Sequence, residues 1–395
     1  MTQTPGLFIV TPGRRALVAA LIVNLVAIGP LFLTGAMSVQ IARDFGTHAT
    51  TVGALAAAFA LSTTLSTAFA GRNVRRFGIQ RSMRVSSVVA IISLTGAALS
   101  PNTLLLAVAL VIGGMGNALA QPAGNALVAS QVSQRRFGLG FAIKQSAIPL
   151  ATTLSGLAVP LIAVTIGWRF AYASAAVVAL LTVFLAPKDQ QRNVGRTEAT
   201  VPRKQVVPLW IYALGIGLIV AAATSIGTLG TAGGVAVDLS ESTAGYLVAA
   251  GGFAGLTIRL FAGWCADRYT FDAMHGIVVL AVLGGLGWIA MGTQAVTMFI
   301  IGLIVANAFG WGWPGLQHLS IARRFPTSTA AASGISQTGV SAGLLIGPLV
   351  LALLARNSGW ASAWFTAAGC AFLGAAIIFW VSYRLPPEEP RPQTG

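Results

Sequence analysis

Charge is what this 395-residue chain has least of. Only 8% of its residues are Asp, Glu, Lys or Arg, against about 25% in a soluble domain whose surface must be wetted. That shortage excludes a large water-soluble enzyme and a charge-rich disordered polypeptide alike. Acids are scarcer still, with 9 Asp and Glu against 24 Lys and Arg and a formal net charge of +15. Such a balance normally raises a nucleic-acid partner, but these bases lie between long apolar runs, and no nucleic acid is expected. Two cysteines, Cys265 and Cys370, supply neither a disulfide framework nor metal-ligand spacing. No nucleotide-binding motif and no cluster of acids for metal-bound phosphates is present, so no enzyme, metal or cofactor is expected.

What is present is hydrophobic sequence, 55% of the chain. A bilayer core about 30 Å thick asks for about 20 mostly apolar residues per spanning helix. Twelve runs qualify: 16–37, 51–70, 85–100 (with a start as early as Ser82), 103–126, 138–163, 167–186, 209–236, 242–264, 274–293, 295–321, 329–355 and 360–383. The class is an all-α polytopic membrane protein. Met1–Gly13 carries no charge before Arg14 and no small-residue cleavage pattern follows the first apolar run, so that run is expected to stay as an anchor. The longest polar stretch, Pro187–Pro208, has no amphipathic period and reads as a linker. It divides a six-helix bundle at 1–186 from another at 209–395. With both termini cytoplasmic, nineteen Lys and Arg lie on the inside and only Arg43, Arg169 and Arg356 on the outside. That asymmetry predicts a multi-pass protein of the cytoplasmic membrane with both ends inside. The two remaining bases, Lys144 and Arg259, fall inside apolar runs.

The sequence also repeats. One offset, 192, pairs Gly53 with Gly245, Gly71 with Gly263, Pro122 with Pro314, Gln145 with Gln337 and Trp168 with Trp360. Two homologous halves in the same orientation are the build of a transporter whose site lies between them. After the eighth run the chain reads Gly263-Trp-Cys-Ala-Asp267-Arg268-Tyr269, and after the second, Gly71-Arg-Asn-Val-Arg75-Arg76-Phe-Gly78. These segments resemble the loop signature of the major facilitator superfamily, and with the twelve runs and central linker the resemblance covers nearly the whole chain. It implies two pseudo-symmetric six-helix bundles (the MFS fold) and a cytoplasmic gate at Gly71, Arg76, Gly78, Gly263, Asp267 and Arg268. The first copy departs from the signature, with Arg75 at the acidic position and Asn73 at the usual leucine. The alternative reading of these residues is that they cap helix ends and set topology.

Ionisable groups inside a membrane default to function. None of the nine acids lies mid-run, so two embedded cations stand without an embedded anion. Lys144 follows Arg136 by 8 residues and Arg259 precedes Asp267 by 8, which puts both roughly 12 Å into the membrane at 1.5 Å per residue. In the family, helices five and eight face each other, which implies one two-cation site for an anion. The competing reading has Lys144 reaching to the headgroups and Arg259 bonded to backbone carbonyls. Arg259-Leu-Phe-Ala-Gly263 looks like the helix-eight segment of oxalate- and monocarboxylate-type members, and Phe141-Ala-Ile-Lys144-Gln145-Ser-Ala-Ile-Pro149 is similar to helix five of cyanate-permease-like members.

Polar residues extend the candidate site. Asn117, Gln121 and Asn125 recur every four residues on helix four, giving one stripe. On helix ten Asn307, Trp311 and His318 fall near one face, with Trp313 and Gln317 beside it. Asn24, Ser225 and Thr228 add donors from helices one and seven. Each reads either as cavity lining or as helix–helix hydrogen bonding, and His318 as a structural or a titrating group. Gly343-Leu-Leu-Ile-Gly347-Pro348 resembles the antiporter motif of drug/proton exchangers but stands on helix eleven instead of five. The expected function is secondary transport of a small organic or inorganic anion by alternating access, through anion exchange or linked to a proton. The alternative is proton-coupled efflux of a neutral or cationic drug or metabolite through an aromatic pocket at Trp311 and Trp313. The implied partners are a small-molecule solute and the lipid bilayer, with the chain a monomer.

Overall fold

The computed structural model describes residues 12–132, 136–185 and 200–388. Lipid offers backbone groups no hydrogen-bond partners, so apolar runs of this length close their bonds internally as helices. Twelve spans result: α1 Pro12–Ala36, α2 Val52–Phe77, α3 Ile79–Ala98, α4 Thr103–Gln131, α5 Phe137–Ala163, α6 Trp168–Leu185, α7 Arg203–Ala236, α8 Glu241–Arg268, α9 Ala273–Gly292, α10 Val296–Arg324, α11 Thr329–Ser358 and α12 Trp360–Ser382. A short helix, Ser38–Phe45, joins α1 to α2.

Local chemistry sets the ends. Asn102, Ser240 and Asp272 accept bonds from Leu105, Thr243 and Met274 amides and so cap α4, α8 and α9. The repeat is visible in the backbone. Gly46 and Asp238, 192 residues apart, both have φ of 64°. Gly167 and Gly359, also mates, have φ of 109° and 88° before the tryptophans that open α6 and α12.

Two boundaries differ from the sequence reading. The Gly71 and Gly263 signatures are the last turns of α2 and α8 instead of loops; α2 runs on to Phe77, and only Gly78, with φ of 85°, turns the chain. Polar residues past the membrane edge keep hydrogen-bonding along the helix until a residue able to adopt positive φ breaks it. Likewise α7 begins at Arg203 behind Pro202, so residues 203–208 of the expected linker are helical. Residues 187–199 of that linker lie outside the described residues, as do Arg135, Lys188, Arg192, Arg196 and Arg391 among the counted bases.

Spans α5 and α10 are interrupted. Span α5 turns at Ser146 and passes through π-helical geometry at Val159–Ala163. Span α10 breaks at Trp311–Trp313 and restarts at Pro314. Proline has no N–H for the carbonyl four residues before it, and both interruptions leave carbonyls for other donors. Trp313 Nε1 takes one of them, donating to Gly310 O at 2.7 Å.

The first six spans meet the second six along α1–α7, α2–α11 and α5–α8. Small residues bring the backbones close. A Cβ on Gly35 would stand 2.2 Å from Gly227 O, and these two are repeat mates on the pseudo-two-fold. A Cβ on Gly245 would lie 2.8 Å from Gly156 O, and one on Gly53 would lie 2.7 Å from Pro348 O. Gly53 and Gly245 are mates, as are Gly156 and Pro348, so the two contacts are one contact repeated. All belong to the end of the bundle away from the arginine-rich end. A cavity of about 480 Å³ at that same end lies among Gln40, Arg43, Val164, Val235 and Glu241.

Candidate functional site

Lys144 on α5 and Arg259 on α8 are both 0% exposed and both end on Gln145. The lysine Nζ donates to Gln145 Oε1 at 3.3 Å and to Gln121 Oε1 on α4. The arginine Nη1 donates to the Gln145 main-chain carbonyl. That carbonyl is available because the residue four places on is Pro149, which has no N–H to return. Nε, at 2.9 Å, and Nη2 of Arg259 both donate to Trp311 O in the break of α10. Each interruption of a helix therefore supplies an acceptor to the Arg259 guanidinium.

The surroundings are neutral. Asn24 on α1 donates Nδ2 to Ala20 O at 2.8 Å, and its Oδ1 has no partner. A Cβ on Gly124 would sit 2.5 Å from Asn24 Nδ2 and 3.0 Å from Lys144 Cε, so glycine there is what lets the lysine reach across α4. From α10, His318 Nε2 lies 2.7 Å from Gln145 Nε2, and its ring stacks on Phe141 at 5.5 Å and 28°. Among the described residues the ion pairs are Arg43–Glu241, Arg169–Asp44, Arg323–Glu388 and Arg324–Asp272; none includes Lys144 or Arg259.

The structure thus joins Lys144, Arg259 and Gln121, adds the main chain of Trp311, and leaves other candidates apart. Asn117 and Asn125 keep Gln121's helix face, but their Oδ1 atoms have no partner. Asn307, 0% exposed, packs on Gly251 and Gly255 of α8 with both polar side-chain atoms unpartnered, one turn from Arg259. Trp311 and Trp313 stack at 6.4 Å and are buried in the core of the second half, so neither indole faces an open pocket. Ser225 and Thr228 donate to their own helix at Ala222 O and Thr224 O. Gln317 donates to Ser336 and Gln337 on α11, the repeat mates of Lys144 and Gln145. Lys144 therefore has a neutral counterpart, Ser336, in the opposite half.

The two halves are joined by polar contacts at both ends of the bundle. At the arginine-rich end Asp267 accepts from Gly138 N at 3.0 Å and Leu139 N at 2.8 Å, the first amides of α5. A carboxylate is favoured there because a helix start carries unpaired N–H groups and positive dipole charge. Gly263 closes the same seam, where a Cβ would be 2.6 Å from Ala142 Cβ. Gly71 is half-buried, Arg76 and Arg268 are exposed, and the Arg76 guanidinium lies over the Phe77 ring at 5.5 Å. At the other end Glu241 holds Arg43 and accepts from Gln40 at 2.7 Å, again joining the two halves.

Sequence reasoning did not select Gln145, Pro149 or the Glu241 contact. Gln145 carried a signal, being one of the residues preserved at the repeat offset. The other two had none, since a proline's effect on a distant arginine and a pairing of two loops are both non-local.

No curated protein matches the sequence. The fold is similar to that of a solved D-xylose–proton symporter, with TM-score 0.71 and 17% identity over 94% of this chain and 97% of that one. It is also similar to that of the human organic anion transporter TETRAN, with TM-score 0.69 and 15% identity over 95% of this chain and 100% of that one. The model of the Major Facilitator Superfamily matches residues 19–320 and 216–395. Twelve spans in two repeated halves, a polar cluster where the halves meet and this match make the chain a member of the major facilitator superfamily, a secondary transporter that works by alternating access.

Proposed function

We propose that the chain carries a small organic or inorganic anion, held by Lys144 and Arg259 between residues 12–185 and 200–388, which rock against each other. One observation carries this reading: two fully buried cations share Gln145, and neither is ion-paired to a carboxylate among the described residues. Buried charges are costly unless compensated, and carbonyl and amide dipoles compensate only part of a full charge. An anion supplies the rest, and the guanidinium fork suits a carboxylate. Gln121 adds the acceptor already bonded to Lys144, and the unpartnered oxygens of Asn24, Asn117 and Asn125 and the unpartnered amide of Asn307 suit water or substrate hydroxyls. Burial of both indoles at Trp311 and Trp313 argues against an aromatic drug pocket at that place. Likeness in fold does not choose the solute, since both a sugar symporter and an organic anion transporter are matched.

We assign the arginine-rich end to the cytoplasm from the basic excess of its connections. Asp267, Gly263, Gly71, Gly78, Arg76 and Arg268 then belong to the cytoplasmic gate, and Glu241 with Arg43 to the external one. The test is a thermal-shift panel on purified protein with the sodium salts of formate, lactate, oxalate, nitrate and cyanate. An anion at 100 times its Kd is expected to add about 2.7 kcal/mol of stability, and Arg259→Gln is expected to abolish the effect. If no anion stabilises the protein, or if the variant keeps the full shift for the best one, the reading fails.

A further inference from the structure

Gln145 touches two ionisable groups of the cluster, Lys144 and His318, with opposite ends of its side-chain amide. Its Oε1 lies 3.3 Å from Lys144 Nζ and its Nε2 lies 2.7 Å from His318 Nε2. An amide has one accepting end and one donating end. With Lys144 charged, the oxygen must face it, and Nε2 then donates to His318 Nε2, which must be unprotonated. Were His318 the charged partner, the amide would turn over, its oxygen accepting from His318 and its NH2 meeting a neutral lysine. With both bases protonated, one of them would meet the NH2 end donor to donor, so both hydrogen bonds cannot form in that state.

We propose that Gln145 makes protonation of Lys144 and His318 mutually exclusive, and that an anion bound at Lys144 releases this restriction and loads a proton onto His318. The proposal rests on the anion-site reading above. The bound anion replaces Gln145 Oε1 as acceptor for Lys144 Nζ, which keeps its bond to Gln121. The freed amide turns its oxygen towards His318, whose Nε2 takes one proton from the aqueous phase the anion came from. Departure of the anion returns the oxygen to Lys144 and expels that proton into the receiving phase. One monovalent anion and one proton cross together, with no carboxylate titrating.

The charges within reach of His318 are both positive, and the carboxylate in the last turns of α8, Asp267, accepts from the Gly138 and Leu139 amides. Helix α5 brings Lys144, and α8 brings Arg259, each within electrostatic reach of the ring. Facing it, α4 has no ionisable residue, and the only one on α11 is Arg356, in its last turn. On α9, His275 turns to Ser382 and Phe379 on α12. On α10 itself, Arg323 and Arg324 are taken by Glu388 and Asp272.

Two measurements on the full chain decide the matter. Nitrogen-15 spectra of histidine-labelled protein, with His318 assigned by its loss in His318→Gln, are expected to show a neutral ring with Nε2 unprotonated at neutral pH. An imidazolium there without anion overturns the exclusion. Calorimetric titration with formate, nitrate or cyanate in buffers of different ionisation enthalpy is expected to show uptake of about one proton per anion by the wild type. These anions are already fully ionised near neutral pH, so the proton must go to the protein. His318→Gln is expected to bind the anion with uptake reduced to none. Binding by the wild type without proton uptake, or unchanged uptake by the variant, overturns the proposal while leaving the anion site standing. Absence of any binding heat overturns the anion site and the loading step with it, and the histidine spectrum still judges the exclusion.

Discussion

Adding one methyl group at Gly245 is expected to open the end of the bundle away from the arginines. A Cβ there would lie 2.7 Å from Val159 Cβ, 2.8 Å from Gly156 O and 3.0 Å from Pro160 Cδ. Carbon atoms are at their best separation near 3.5–4.0 Å, so α5 and α8 must part by roughly 0.5–1 Å at this level. Two of the obstacles are backbone or proline ring atoms that cannot turn away. Overpacking of this kind costs about 1–3 kcal/mol, but only where the two halves touch. Once they part at this end, the methyl group meets nothing. The closed-to-open ratio should therefore fall by roughly 5- to 150-fold, the factor that energy implies. Spin labels placed through His48→Cys and Thr293→Cys, with Cys265 and Cys370 replaced, sit on opposite halves at that end. Electron–electron resonance distances between them should lengthen in Gly245→Ala, while labels at the arginine-rich end stay close. An unchanged distribution, or simple loss of folded protein, would refute the view that Gly245 works between moving halves.

Other expectations follow from the same contacts. Gly339→Ala sets a Cβ 1.8 Å from Ala213 O on α7, inside one half; with no conformation to relieve it, it should lower the melting temperature by several degrees in all states. Asp267→Asn loses the charge that accepts from Gly138 and Leu139 amides, bonds of a kind worth about 1.5–3 kcal/mol; cysteine labelling at the arginine-rich end should rise. Pro149→Ala restores an N–H that competes for the Gln145 carbonyl; Arg259 loses an acceptor, so the free protein should melt earlier and the best anion should raise its melting point by more than in wild type. The hydrogen bond from Arg169 holds the Asp44 carboxyl below its ordinary 3.8. A depressed acid stabilises the fold above that ordinary value and loses its contribution as pH falls through the folded one; Arg169→Gln should flatten that part of the acid limb of melting temperature against pH.

Much of the architecture was legible because membrane insertion is written in one dimension. Hydropathy, with glycines, prolines and charges to separate neighbours, placed twelve spans, and the 192-residue offset foretold backbone turns that coincide at Gly46 and Asp238 and at Gly167 and Gly359. Helix ends past the membrane edge were less legible, because lipid does not mark where α2 or α8 stops. In the cluster, Lys144 and Arg259 stood out as bases far from either end of an apolar run, and counting residues from the arginine-rich end put them at one depth. Gln145 did not stand out, since a single amide in a helix is common and its neighbours come from α4, α8 and α10.

The sequence by itself determined that this protein spans a membrane twelve times as two repeated halves, and that its buried charge is all of one sign. Those are properties of composition and spacing, fixed before any helix meets another. Only the tertiary structure decided what that charge touches. Proline breaks in α5 and α10 leave carbonyls that no local donor claims, and packing of the two halves brings Arg259 to both of them. The same packing sets Lys144 and His318 at opposite ends of one amide. A hydrogen bond depends on tenths of an ångström between distant segments, and no local pattern in the chain encodes that distance.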